Sequence, residues 1–108
     1  MIGAGKRDTP IVFERAVVGR DSLNEETLTW TPLQKAFAAV RYGTSAERRE
    51  AAVTQSRQAA TFRILATQAL RGVTGKDRIV MRGQVWDIAG PPAEIGRVEL
   101  EITAARAD

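Results

Sequence analysis

Apolar and polar side chains alternate at a period of two along much of this chain. Thr27-Leu28-Thr29-Trp30-Thr31 is the strictest stretch, and that period marks a strand with one buried face. It predicts Leu28 and Trp30 inward and the threonines outward, with Pro32 ending the run. Thr61-Phe62-Arg63-Ile64-Leu65-Ala66 places Phe62, Ile64 and Ala66 on one face. Arg97-Val98-Glu99-Leu100-Glu101-Ile102-Thr103 does the same with Val98, Leu100 and Ile102. Residues 11–18 are rich in β-branched and aromatic types and predict a first strand. Gly19-Arg20-Asp21-Ser22 then reads as a turn. Residues 35–42 make a further strand candidate, although their alanines would also suit a helix. Arg78-Ile79-Val80-Met81 and Gln84-Val85-Trp86-Asp87-Ile88 flank Arg82-Gly83, a hairpin signal. Gly90-Pro91-Pro92 breaks the sheet.

One segment departs from this pattern. Thr44 followed by Glu47 makes a capping box, in which the Thr oxygen and the Glu carboxylate each accept from an orphan backbone amide. Good helix formers follow to Val53. The apolar positions there are nearly all alanine, and at about 25 cal/mol per Å² a stripe of methyl groups docks weakly. A short helix on a mobile loop, residues 44–57, is therefore expected. The whole predicts an all-β fold: a small antiparallel β-barrel or sandwich with one short helix on an inserted loop. No long helices recur between strands, which argues against a parallel α/β sheet. The expected organisation is a flexible N-terminal arm (1–9), one β domain (10–103) and a flexible C-terminal tail (104–108).

Composition narrows the chemistry. The 108 residues contain no Cys and no His. That removes disulfides, thiolate catalysis, cysteine zinc sites and the usual general base near neutral pH. Gly3-Ala4-Gly5-Lys6 lacks the spacing, the preceding strand and the Ser/Thr of a phosphate loop. Gly72-Val73-Thr74-Gly75-Lys76-Asp77 fails likewise and reads as a plain loop. The pairs Glu25-Glu26 and Glu99/Glu101 read as solvated charge. No catalytic, cofactor-binding or metal-ligating residue is expected, and no enzyme. The net charge is +3, from 16 basic and 13 acidic residues spread along the chain. This modest excess favours protein contacts over nucleic acid. The aromatics Phe13, Trp30, Phe37, Tyr42, Phe62 and Trp86 could stack on bases, but Phe62, Trp30 and Trp86 share faces with aliphatic neighbours, and the core is the expected place. Arg41, Arg63, Arg78 and Arg82 are candidates for a basic face, read first as solvated, second as a protein interface and third as a nucleic-acid surface. No run approaches the roughly 20 apolar residues that span a bilayer, and a soluble intracellular protein without membrane contact is expected.

The order of these elements carries a resemblance. A strand, then Thr29-Trp30, Phe37-Ala38-Ala39-Val40, the polar helix with Glu47, and Phe62-Arg63-Ile64 lead to Arg78-Ile79 followed by Gly83-Gln84-Val85-Trp86-Asp87-Ile88. Leu100-Glu101-Ile102 closes the series. From about Lys6 to Thr103 the chain resembles the phage head–tail joining family, the head-closure or stopper proteins of long-tailed phages and related gene transfer particles. The resemblance implies a virion component, made in the host cytoplasm. It implies a ring, of twelve copies, with the portal or adaptor above, a tail terminator or tail protein below, and double-stranded DNA in the channel. The loop projecting into that channel would carry Thr44, Glu47, Arg48, Arg49, Glu50, Gln55 and Arg57. The four arginines 41, 63, 78 and 82 would serve the ring interface. An adaptor or tail-completion subunit, and a nucleic-acid-binding β-barrel, stand as alternatives.

Overall fold

In a computed structural model, residues 6–43 and 57–107 are described. The helix expected within 44–57 lies outside these residues, apart from Arg57. Seven antiparallel strands account for most of the described chain: β1 (Thr9–Arg20), β2 (Glu26–Tyr42), β3 (Arg57–Leu65), β4 (Arg78–Met81), β5 (Gln84–Ile88), β6 (Ala93–Ile95) and β7 (Glu99–Ala107). A short helix, α1 (Gln68–Arg71), joins β3 to the loop before β4. The strand order β3-β2-β1-β4-β5-β7-β6, together with pairing of β3 to β7, closes the sheet on itself. The result is an uneven ring of strands, all-β as expected.

Side-chain alternation decides what the ring encloses. Ile11 and Phe13 of β1, Phe62 and Ile64 of β3, and Ile79 and Met81 of β4 point inward. Trp86 and Ile88 of β5, with Leu100, Ile102 and Ala104 of β7, complete the interior. Each large side chain so buried stabilises the fold by about 1.5–3 kcal/mol. Phe62 meets Trp86 edge-on at 5.6 Å, a favoured aromatic geometry. Leu70 of α1 plugs the same core. Thr67 sets that helix, its Oγ1 accepting from Leu70 N at 3.1 Å, the ordinary N-cap bond. The predicted hairpin at Arg82-Gly83 forms, with φ of 53° and 77°, as a tight turn with two positive φ values requires.

Five expectations change. The stretches 27–31 and 35–42 are one 17-residue strand that runs straight through Pro32. The ladder shifts there: Phe13 pairs with Gln34 but Glu14 with Pro32, leaving Leu33 as the extra residue of a bulge. Proline is tolerated where the ladder is already interrupted. Leu28 is exposed rather than inward, and Trp30 is only partly covered. Past Glu14, which still pairs with Arg78 of β4, β1 and β2 pair only with each other. Phe37, Tyr42 and Val98 are likewise exposed. Finally, β7 continues to Ala107, paired with β3 as far as Arg57, so residues 104–107 are sheet. At the other terminus β1 begins at Thr9, and Arg7 forms an ion pair with Glu99 of β7.

Candidate assembly surfaces

Past the bulge, residues 14–20 of β1 and 26–32 of β2 form a two-stranded arm. Each of its strands advances about 3.3 Å per residue, so the arm projects roughly 20 Å. The molecule measures 54 × 36 × 22 Å along its principal axes. Ala16 pairs with Trp30 and Val18 with Leu28 on one face. Those four residues line a groove of about 580 Å³ whose other wall is the segment Gly72–Asp77. At the tip, Asp21 Oδ1 accepts from Leu23 N and Glu25 N, both at 2.9 Å. Asn24 takes a positive φ of 65°. These groups build the turn without help from Leu23, whose side chain is 76% exposed.

An isolated two-stranded ribbon is marginal in water, and this one is braced at its root by two sets of contacts. Glu14 accepts from Arg78 Nε at 2.7 Å, and the Arg78 guanidinium lies 4.0 Å from the centre of the Trp30 ring, within cation–π range. Arg15 donates to both carboxylate oxygens of Asp77, at 3.0 and 3.1 Å, and to Gly72 O at 3.1 Å, tying the arm to the far wall of the groove. Thr74 N donates to Asp77 as well, at 3.0 Å. Burial alone would push the Asp77 carboxyl up, but the Arg15 and Thr74 hydrogen bonds and the Arg15 charge outweigh it and hold it below its usual range. The same pairing raises Arg15.

A second surface lies on the outside of the ring. The register places Lys35, Val12, Val80 and Val85 in one row across β2, β1, β4 and β5. Phe37, 62% exposed, pairs with Pro10 beside it. Pro10, Val12, Lys35, Phe37, Val80 and Arg82 line a depression of about 430 Å³ that no acidic side chain borders.

The arginines proposed from sequence as one basic face do not share one place. Arg41 and Arg63 are diagonal neighbours on the outer face of β2 and β3, and Arg63 is bound to Glu101 at 3.2 Å. Arg78 serves the arm root, and Arg82 sits exposed on the β4–β5 turn. Of the loop residues singled out, Thr44, Glu47, Arg48, Arg49, Glu50 and Gln55 lie outside the described residues, and Arg57 opens β3. Among the described residues, no cluster of carboxylates is gathered as a metal site.

Comparison with known proteins now bears on these surfaces. The family model of the phage head completion protein matches residues 2–107. The chain belongs to the phage head completion protein family. Membership gives it a structural role in a phage-type virion, at the head–tail interface. No curated protein matches the chain. Two solved structures share the fold of this head completion protein. One is protein SF1141 from Shigella flexneri 2a, determined in solution, at 20% identity and TM-score 0.72, covering 97% of this chain and 96% of that one. The other is a chain in the virion of a native gene transfer agent particle, at 22% identity and TM-score 0.67, covering 94% of each. For this head completion protein, the sequence pattern missed the arm and its two braces. Leu23, a lone leucine among Asp21, Ser22, Asn24, Glu25 and Glu26, was the available signal, since a turn needs no such residue.

Proposed function

We propose that this head completion protein is a head-closure, or stopper, subunit. In this reading copies form a ring, of twelve on the family resemblance, between the portal or its adaptor and the tail. The ring helps attach the tail and retains the packaged double-stranded DNA, and it transforms no molecule. The observation that supports the reading is the placement of two devices at opposite ends of one strand. β2 is 17 residues long, at most roughly 50 Å at about 3.3 Å per residue. The arm occupies its N-terminal half. Residues 44–56 leave from its C-terminal end, where Gly43 N donates to Ala59 O at 2.9 Å and Tyr42 pairs with Ala60. A subunit built this way can hold a neighbour with one end while the loop at the other meets the channel. Thr44, Glu47, Arg48, Arg49, Glu50, Gln55 and Arg57 are the proposed gating residues. Their mixed charge would let DNA pass, since each additional unpaired cation strengthens binding to phosphate. Arg41, Arg63 and Arg82 are proposed contacts within the assembly, and Arg78 acts there through the arm it braces.

Deleting residues 46–56 tests the gate. The purified variant is expected to keep its far-ultraviolet circular dichroism and melting temperature, while particles carrying it lose packaged DNA. An unfolded variant, or particles that hold their DNA normally, would refute the gate. Electron cryomicroscopy of intact particles tests the connector itself, because a neck without this chain excludes it.

A further inference from the structure

Two surfaces of this chain complement each other and cannot meet within one molecule. The arm tip, residues 20–26, carries Asp21, Glu25 and Glu26 against Arg20 alone, a local charge of −2. Its apex is the exposed Leu23. Asp21 is engaged in the turn, which leaves Glu25 and Glu26 exposed for a partner. The outer depression on β1, β2 and β4 has apolar walls of Pro10, Val12, Phe37 and Val80 and carries Lys35 and Arg82. Among the described residues neither cation has an ion-pair partner. The arm extends away from the ring of strands, so the tip is carried beyond reach of its own depression.

We infer that Leu23 of one copy seats in the Pro10/Val12/Phe37/Val80 depression of the next, with Glu25 and Glu26 facing Lys35 and Arg82. Two different patches then meet, which makes the contact heterologous, and such contacts close into rings when the rotation between copies permits. The apolar centre and charged rim are the usual anatomy of a specific interface. Arg82 supports the assignment independently. It occupies a left-handed position, φ 53°, where Asn or Gly is preferred in a tight hairpin. A residue that violates its local rule points to a role outside the fold. The braces at Glu14/Arg78 and Arg15/Asp77 matter for the same reason, because a docking arm held in one direction loses less freedom on binding.

This inference rests on the connector reading, and the test separates the two. The chain has no cysteine, so a Leu23→Cys/Phe37→Cys variant carries only the introduced thiols, both at exposed sites. Particles assembled with it, after mild oxidation, should yield a ladder of covalent multimers longer than two. A Leu23→Cys/Val98→Cys variant should not. Reversing the tip (Glu25→Lys/Glu26→Lys) should abolish assembly, as should reversing the face (Lys35→Glu/Arg82→Glu). Mixing the two reversed chains should restore it, because each tip then meets an opposite face. Neck density containing this chain but no ladder, or a covalent dimer alone, overturns the docking and leaves the connector standing. Failure of the mixed chains to assemble also overturns the docking. A neck lacking the chain overturns the connector.

Discussion

Replacing Arg15 by alanine should cost this protein about 2 kcal/mol, and the figure follows from the partner it abandons. The Asp77 side chain is 2% exposed and Arg15 45%. The carboxylate accepts two bonds from Arg15 and one from Thr74 N. Arg15→Ala leaves a buried charge with a single donor. Breaking a fully buried pair typically costs about 3–5 kcal/mol. Here the arginine is half in solvent, so water reaches the carboxylate from that side and the loss falls nearer the 1.5–3 kcal/mol or so of a charged hydrogen bond. For 108 residues the unfolding entropy is about 0.23 kcal/mol/K, which turns a 2 kcal/mol loss into a melting temperature roughly 9 °C lower. Thermal unfolding followed by circular dichroism and tryptophan fluorescence measures it. Arg15→Ala/Asp77→Ala should be no less stable than Arg15→Ala alone, because the orphaned charge has gone. A drop under about 3 °C, or a double variant showing simple addition of the two single losses, would refute the account of the brace.

Acidification should act through the same pair. Asp77 titrates below its ordinary 3.8 in the folded chain. Its stabilisation is therefore present above that value and is lost as pH falls through the lowered one. Asp77→Asn should be less stable than the wild type at neutral pH, with the gap closing well below 3.8; denaturant titrations at both extremes check it, and an unchanged gap counts against the pairing. Gly83→Ala meets no atom within 4 Å but has φ +77°, so its cost of about 1 kcal/mol should be purely conformational. Gly90→Ala, equally open and without a left-handed φ, should be neutral or slightly stabilising in the same denaturation assay. Arg82→Asn should raise stability by roughly 0.5–1 kcal/mol by suiting the turn, while weakening particle assembly.

The arm shows where sequence reading succeeded and where it stopped. Thr27–Thr31 was legible as a strand because alternation is a local property of the backbone. Which face of it is covered was not legible, since coverage depends on whether another layer lies opposite. Phe62, Ile64, Leu100 and Ile102 were placed correctly because their strands lie within the closed ring, with the core on one side. Leu28 has the same alternation on a ribbon that leaves the ring, so it stays in solvent. The Arg82-Gly83 turn was readable from two residues. The Arg15–Asp77 brace joins positions 62 apart in the chain, and no spacing rule announces it.

Local chemistry thus determined the strand character, the tight turn and the absence of cysteine and histidine chemistry, all properties of neighbouring residues or of composition. The order of elements carried the family resemblance. Only the tertiary structure decided that two predicted strands are one, that residues 104–107 belong to the sheet, and that an acidic leucine tip and a basic apolar face are held apart on the same molecule. Those outcomes depend on which distant strands pair and where the ring of strands ends, and pairing over long separations is set by the packing of the whole chain.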